Sequence, residues 1–219
     1  MLRLDNSYNV YSAGNTSTII TTLPFTGTQN GFIVQYNASG AVQWAAKIGN
    51  AGTVVVRGVS TDSNRNVLVF GYYTAAMNVY SAGDTSTAIT TLPFTGTNNG
   101  FIIQYNASGA VQWAANIGNS GIARALGVST DSNRNVLVVG YYTAALNLYS
   151  AGDTSTAITT LPLTGTRNGF TVQYNSSGVV QWAKAVSGTG TTVQVYGTAT
   201  DTANNVYGAA YSNSLTTTF

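Results

Sequence analysis

The sequence predicts an all-β protein, an array of three 69-residue repeats, each a four-stranded antiparallel sheet. Three observations predict it. Trp44, Trp113 and Trp182 lie 69 residues apart, as do Pro24, Pro93 and Pro162, and Gly31, Gly100 and Gly169. Residues 80–113 and 149–182 differ at only six positions. Within each period apolar and polar residues alternate with period two, the spacing of half-buried strands, and no helical period survives.

The elements follow in order within one period. Residues 100–105 read as a strand and 106–109 (Asn-Ala-Ser-Gly) as its turn. Residues 110–117 then alternate, which places Val111, Trp113, Ala115 and Ile117 on one face. After a Gly-rich turn, residues 125–130 form a third strand. The turn Asp-Ser-Asn-Arg-Asn at 131–135 leads into a fourth at 136–142. Asn, Asp, Ser and Gly suit such reversals because their side chains bond locally or tolerate a left-handed backbone. The connector 143–168 reads as a ragged extra hairpin around 147–150 and 157–160. Asp201 falls one residue late against Asp62 and Asp131, placing a single insertion in the loop 187–192. The expected hairpins are 31–48, 58–73, 100–117, 127–142, 169–186 and 197–211, in one repeat array over residues 1–219.

Composition narrows the function classes. Charged residues are 6% of the 219, there is no Glu, His or Cys, and the net charge is +2. A nucleic-acid partner would need a clustered basic stripe, and these cations are scattered. No stretch is apolar enough for a membrane span. Met1 to Asp5 lack the apolar core of a secretory signal. Polarity comes from Thr, Ser, Asn, Gln and Tyr, a surface expected outside cells or on particles, with contacts that depend little on salt.

The run from Gly100 to Ala114 resembles the C–D hairpin of the SBBP-type β-propeller repeat, and the run from Gly127 to Tyr142 resembles its inner A–B hairpin. The likeness implies a propeller, usually with no assigned activity, and offers no catalytic residues to transfer; no cofactor is expected. It sets strand A at 58–62, 127–131 and 197–201, and strand B at 66–73, 135–142 and 205–211. Strand C begins at Gly31, Gly100 and Gly169, and strand D carries the tryptophans.

In that register the array holds two whole blades and two complementary halves. Propellers close with about four to eight blades, and unpaired sheet edges recruit other chains. Self-association is therefore expected, as a closed six-bladed homodimer or a head-to-tail fibre, unless these residues are a piece of a longer array. The assembly residues expected are Gly31, Ile33, Trp44, Val206, Tyr207 and Tyr211.

Other candidates have plainer readings. The turns at 62–66 and 131–135 carry oxygens at alternate positions, as calcium loops do, but lack the distal Glu, so an Asx-type turn is the simpler account and no metal is expected. Each Trp alternates in phase with Val and Ile, which favours packing between blades over sugar stacking. Asn15, Asn37, Asn106 and Asn175 begin Asn-x-Ser/Thr triplets, the last three inside hairpin turns. Tyr72, Tyr73, Tyr141 and Tyr142 are the candidate ligand-binding residues of an alternative, lectin-like reading with glycans as partners. Without His, Cys or Glu, an enzyme is not expected.

Overall fold

A computed structural model of the chain describes residues 7–10, 19–49, 51–118, 120–188 and 192–213, and every regular element among them is a strand. In chain order these are β1 (Ser7–Val10), β2 (Thr21–Pro24), β3 (Gly31–Tyr36), β4 (Val42–Ile48), β5 (Val54–Thr61) and β6 (Val67–Tyr73). Next come β7 (Met77–Val79), β8 (Thr90–Leu92), β9 (Asn99–Tyr105), β10 (Val111–Ile117), β11 (Ala123–Thr130) and β12 (Val136–Tyr142). The last are β13 (Leu146–Leu148), β14 (Thr159–Leu161), β15 (Asn168–Tyr174), β16 (Val180–Val186), β17 (Val193–Thr200) and β18 (Val206–Ser212). Among the described residues no helix is long and apolar enough to cross a membrane.

Two hairpins make a blade. β5–β6 joins β9–β10 through a seven-residue antiparallel ladder from Val67↔Tyr105 to Tyr73↔Asn99, forming blade II. β11–β12 joins β15–β16 through the equivalent ladder from Val136↔Tyr174 to Tyr142↔Asn168, forming blade III. β3–β4 is one half of a blade I, and β17–β18 is the complementary half of a blade IV.

The connector hairpins are strapped to the blade before their own. β7 pairs with β4 at Ile48↔Val79, and β13 pairs with β10 at Ile117↔Leu148. They fall at 146–148 and 159–161 in the later copy, a residue or so from the sequence expectation. Blade II thereby becomes a six-stranded sheet.

Bulges explain where the sequence reading missed. The inner strands begin at Val54, Ala123 and Val193, four residues before the expected starts. Register shifts at Val56/Gly58, Ala125/Gly127 and Val195/Gly197 break the alternation there, so the first half of each strand is out of phase with the second. A second bulge, between Val111 and Trp113, separates residues expected on one face. Trp113, Ala115 and Ile117 join the core shared with blade III, while Val111 packs with Ala114 in the core on the other side of its sheet.

The core lies between blades. Trp44, Ala46 and Ile48 of blade I pack with Val67, Val69, Tyr73, Ile103 and Tyr105 of blade II. Trp113, Ala115 and Ile117 of blade II meet Val136, Val138, Phe170 and Tyr174 of blade III in the same way. Full burial of one such large apolar side chain contributes about 1.5–3 kcal/mol. Between blades III and IV the inner strands and the turns that follow them are tied directly. Thr200 Oγ1 donates to the Thr130 carbonyl at 2.7 Å, and Ser132 donates its N–H and hydroxyl to Asn204 Oδ1 at 3.0 and 2.6 Å.

The inner-strand bulges demand glycine opposite. A Cβ on Gly71 or Gly140 would run into the carbonyl oxygen of Val55 or Arg124. Gly140→Ala should therefore destabilise the fold by about 1–3 kcal/mol, the usual cost of overpacking, read as a lowered urea midpoint. An unchanged midpoint would show that the bulge yields.

Candidate interaction surface

The surface that distinguishes this chain is made of sheet that is buried elsewhere in the same chain. β9 and β15 sit inside complete blades, and Tyr105 and Tyr174 on them are 0% exposed; Tyr36, at the same place on β3, is 51% exposed. β12 is buried along its whole length, whereas its counterpart β18 is largely exposed, with Tyr207 at 56% and Tyr211 at 51%. β3 pairs with β4 and β18 with β17, and among the described residues no strand pairs with the other edge of either.

Beside β18 an open, mainly apolar groove of about 260 Å³ is lined by residues that include Trp182, Lys184, Val186, Val195, Val206 and Gly208. It occupies the place where, one repeat earlier, the B and C strands of blade III close over Trp113. The tryptophans show what a closed joint looks like. Trp44 Nε1 donates to the Ala107 carbonyl and Trp113 Nε1 to the Ser176 carbonyl, both at 3.1 Å and both across to the next blade's C–D turn. Tyr105 and Tyr174 lie against those indoles at 5.9 Å between ring centroids.

The expected assembly residues divide accordingly. Gly31 and Ile33 lie on the open-edged β3, and Val206, Tyr207 and Tyr211 on β18. Trp44 is corrected: only 9% exposed, it is consumed inside the chain by the joint with blade II. The tryptophan at the open groove is Trp182, which the sequence reading overlooked because all three look alike in period and phase.

The tyrosine pairs do not form a shared surface. Tyr73 and Tyr142 are 0% exposed, and their hydroxyls donate to the Pro93 and Pro162 carbonyls at 2.6 and 2.8 Å. That corrects their place in a ligand site: they point into the core. Tyr72 is half-buried with the guanidiniums of Arg57 and Arg124 over its ring at 5.3 and 4.1 Å, and Tyr141 lies under that of Arg167 at 4.3 Å. Cation–π contacts thus engage both rings.

The polar turns are self-satisfied. Asp62 Oδ1 accepts the N–H groups of Asn64 and Asn66 at 2.9 Å, and its Oδ2 accepts from Asn66 Nδ2 at 2.8 Å. Asp131 repeats this with Asn133 and Asn135. Asn37, Asn106 and Asn175 each use Oδ1 to accept two backbone N–H groups across their turns, as Asx-type turns do. Asn15 lies outside the described residues. Asp84 and Asp153 accept N–H groups of their own loops, which hold both carboxyls below the usual carboxylate range. Among the described residues no three acidic, His or Cys side chains cluster as a metal site.

Four-stranded antiparallel sheets, stacked face to face with their inner strands tied together, have the form of β-propeller blades. No protein-family model matches the chain. Over 141 residues, 61% of the chain, it is 36% identical to an uncharacterised WD repeat-containing protein of Acanthamoeba polyphaga mimivirus, and the match spans 10% of that protein's length.

Burial has a measurable signature in the tyrosines. It pushes the hydroxyls of Tyr73, Tyr105, Tyr142 and Tyr174 above the ordinary range. The unfolded chain releases these protons near pH 10 and the folded chain retains them, so stability is full below about pH 10 and declines above it. Absorbance of tyrosinate during an alkaline titration should rise first from exposed residues and then jump with unfolding. A single smooth titration of all tyrosines in the folded state would contradict the burial.

Proposed function

We propose that this protein is a structural interaction scaffold, an array of SBBP-type propeller blades on a cell or particle surface that associates with copies of itself and performs no catalysis. One observation carries the reading. The same molecule presents an inner half-blade, β17–β18, and an outer half-blade, β3–β4, whose facing edges are the two sides of the ladder that closes blades II and III. Carrying that ladder across two copies pairs Val206 with Tyr36, Ala209 with Ile33 and Tyr211 with Gly31. Strand addition of this kind draws its affinity from main-chain hydrogen bonds. If the rotation closes, two copies make six blades; if it does not, the contact propagates as a fibre.

The scaffold role is supported by the class of repeat, by carboxylates spent on turns, and by a surface with little charge. The chain spans a tenth of its mimivirus relative, so further repeats of a longer chain are the competing occupant of these edges.

Mass and cross-linking separate the outcomes. The chain has no cysteine, so Ile33→Cys with Ala209→Cys introduces one defined pair, and opposed strand positions are within disulfide reach. Oxidation should give a covalent dimer for the ring, or a ladder for the fibre. A species that stays monomeric by sedimentation and does not cross-link would overturn self-association.

A further inference from the structure

The open groove at β16 and β18 has two worked precedents inside the chain. At the joint of blades I and II, the Trp44 indole bonds the Ala107 carbonyl, lies tilted against the Tyr105 ring and is pressed by Gly109, where a Cβ would stand 2.7 Å from its Cδ2. At the joint of blades II and III, Trp113, Ser176, Tyr174 and Gly178 repeat every part, with a Cβ on Gly178 at 2.8 Å. At the third position Trp182 is only half-buried, and among the described residues no turn covers it.

We propose that this groove is a socket for the C–D hairpin of a second copy, with Trp182 as its reader. Advancing the two precedents by one repeat names every contact. The Trp182 N–H donates to the Ala38 carbonyl of the second copy, its ring stacks on that copy's Tyr36, and Gly40 supplies the flat approach. Each of those groups is ready for the role. Ala38 is exposed, Tyr36 is 51% exposed, and Gly40 has the left-handed φ of 77° that Gly109 and Gly178 share near 80°.

The socket is also altered in a way that sets it apart from the two internal joints. Ala115 and Val138 share the core between blades II and III; at the corresponding places in the groove stand Lys184 and Gly208. A large side chain replaces a small one and a small residue replaces a large one, so volume is approximately kept while the filling changes. The aliphatic stem of Lys184 supplies the wall and its ammonium can reach solvent. The third joint is thus a distinct pairing, in which a second copy docks without competing for the internal joints.

This inference rests on the head-to-tail reading, and the experiment tells the two apart. Sedimentation of wild type, Trp182→Phe and Tyr36→Ala gives the association constant of each, and tryptophan emission is followed on dilution. Neither substitution touches the core of the single chain. Loss of one buried hydrogen bond or one aromatic stack should weaken association about tenfold. Wild-type emission should shift to the red on dilution, and that shift should vanish in Trp182→Phe. Wild-type association with unchanged constants in both variants and no emission shift would overturn the socket and leave head-to-tail pairing standing. No association by wild type at any concentration would remove the reading and the socket together.

Discussion

The structure depends on one non-local interaction, the ladder that joins the second strand of an A–B hairpin to the first strand of the C–D hairpin after it. Seven residue pairs, Val67–Tyr73 against Tyr105–Asn99, make a single sheet of two hairpins that a connector of some two dozen residues keeps apart. Only when this ladder forms do the buried faces of β6 and β9 acquire neighbours on both sides. Blade III repeats the arrangement pair for pair. Hairpins alone are marginal in water, so a half-blade without its ladder is sheet held mainly by the adjoining blade.

That dependence explains the surface. β3 and β18 carry Tyr36, Tyr207 and Tyr211 into solvent because, among the described residues, no strand pairs with the outer edge of either, whereas single exposed aromatics elsewhere would need no explanation. The connectors strengthen the same logic. By pairing with the blade before its own, each of β7–β8 and β13–β14 ties two successive blades into one unit. The repeats therefore form a mechanical row, with most of the apolar contact between blades, and stability is expected to grow with each added neighbour.

The sequence was informative where period and phase were unbroken. The repeat, the strand pairs and the packing role of the tryptophans could all be read from the 69-residue spacing and the alternation. It was misleading where a bulge inserted one residue: Arg57 hid the first half of β5, and Gln112 put Val111 on the wrong face. The tyrosine pairs were ambiguous for a different reason. Adjacent strand residues point to opposite faces, but only the fold shows that the Tyr73 face is sealed by Pro93 and that Arg57 and Arg124 lie over the Tyr72 ring. The tryptophans taught the same lesson: their shared phase revealed a shared role, and only the stacking order of the blades separates Trp44, already used, from Trp182, still open.

Amide hydrogen exchange measured across protein concentration tests the central claim most directly, because it reports each ladder separately. Amides of β6, β9, β12 and β15 should be strongly protected at every concentration. Those along β3 and β18 should exchange fast when dilute and become protected together as concentration rises. Protection of β3 and β18 that is already complete at high dilution, or that never appears, would contradict an account in which the two half-blades are sides of one intermolecular sheet.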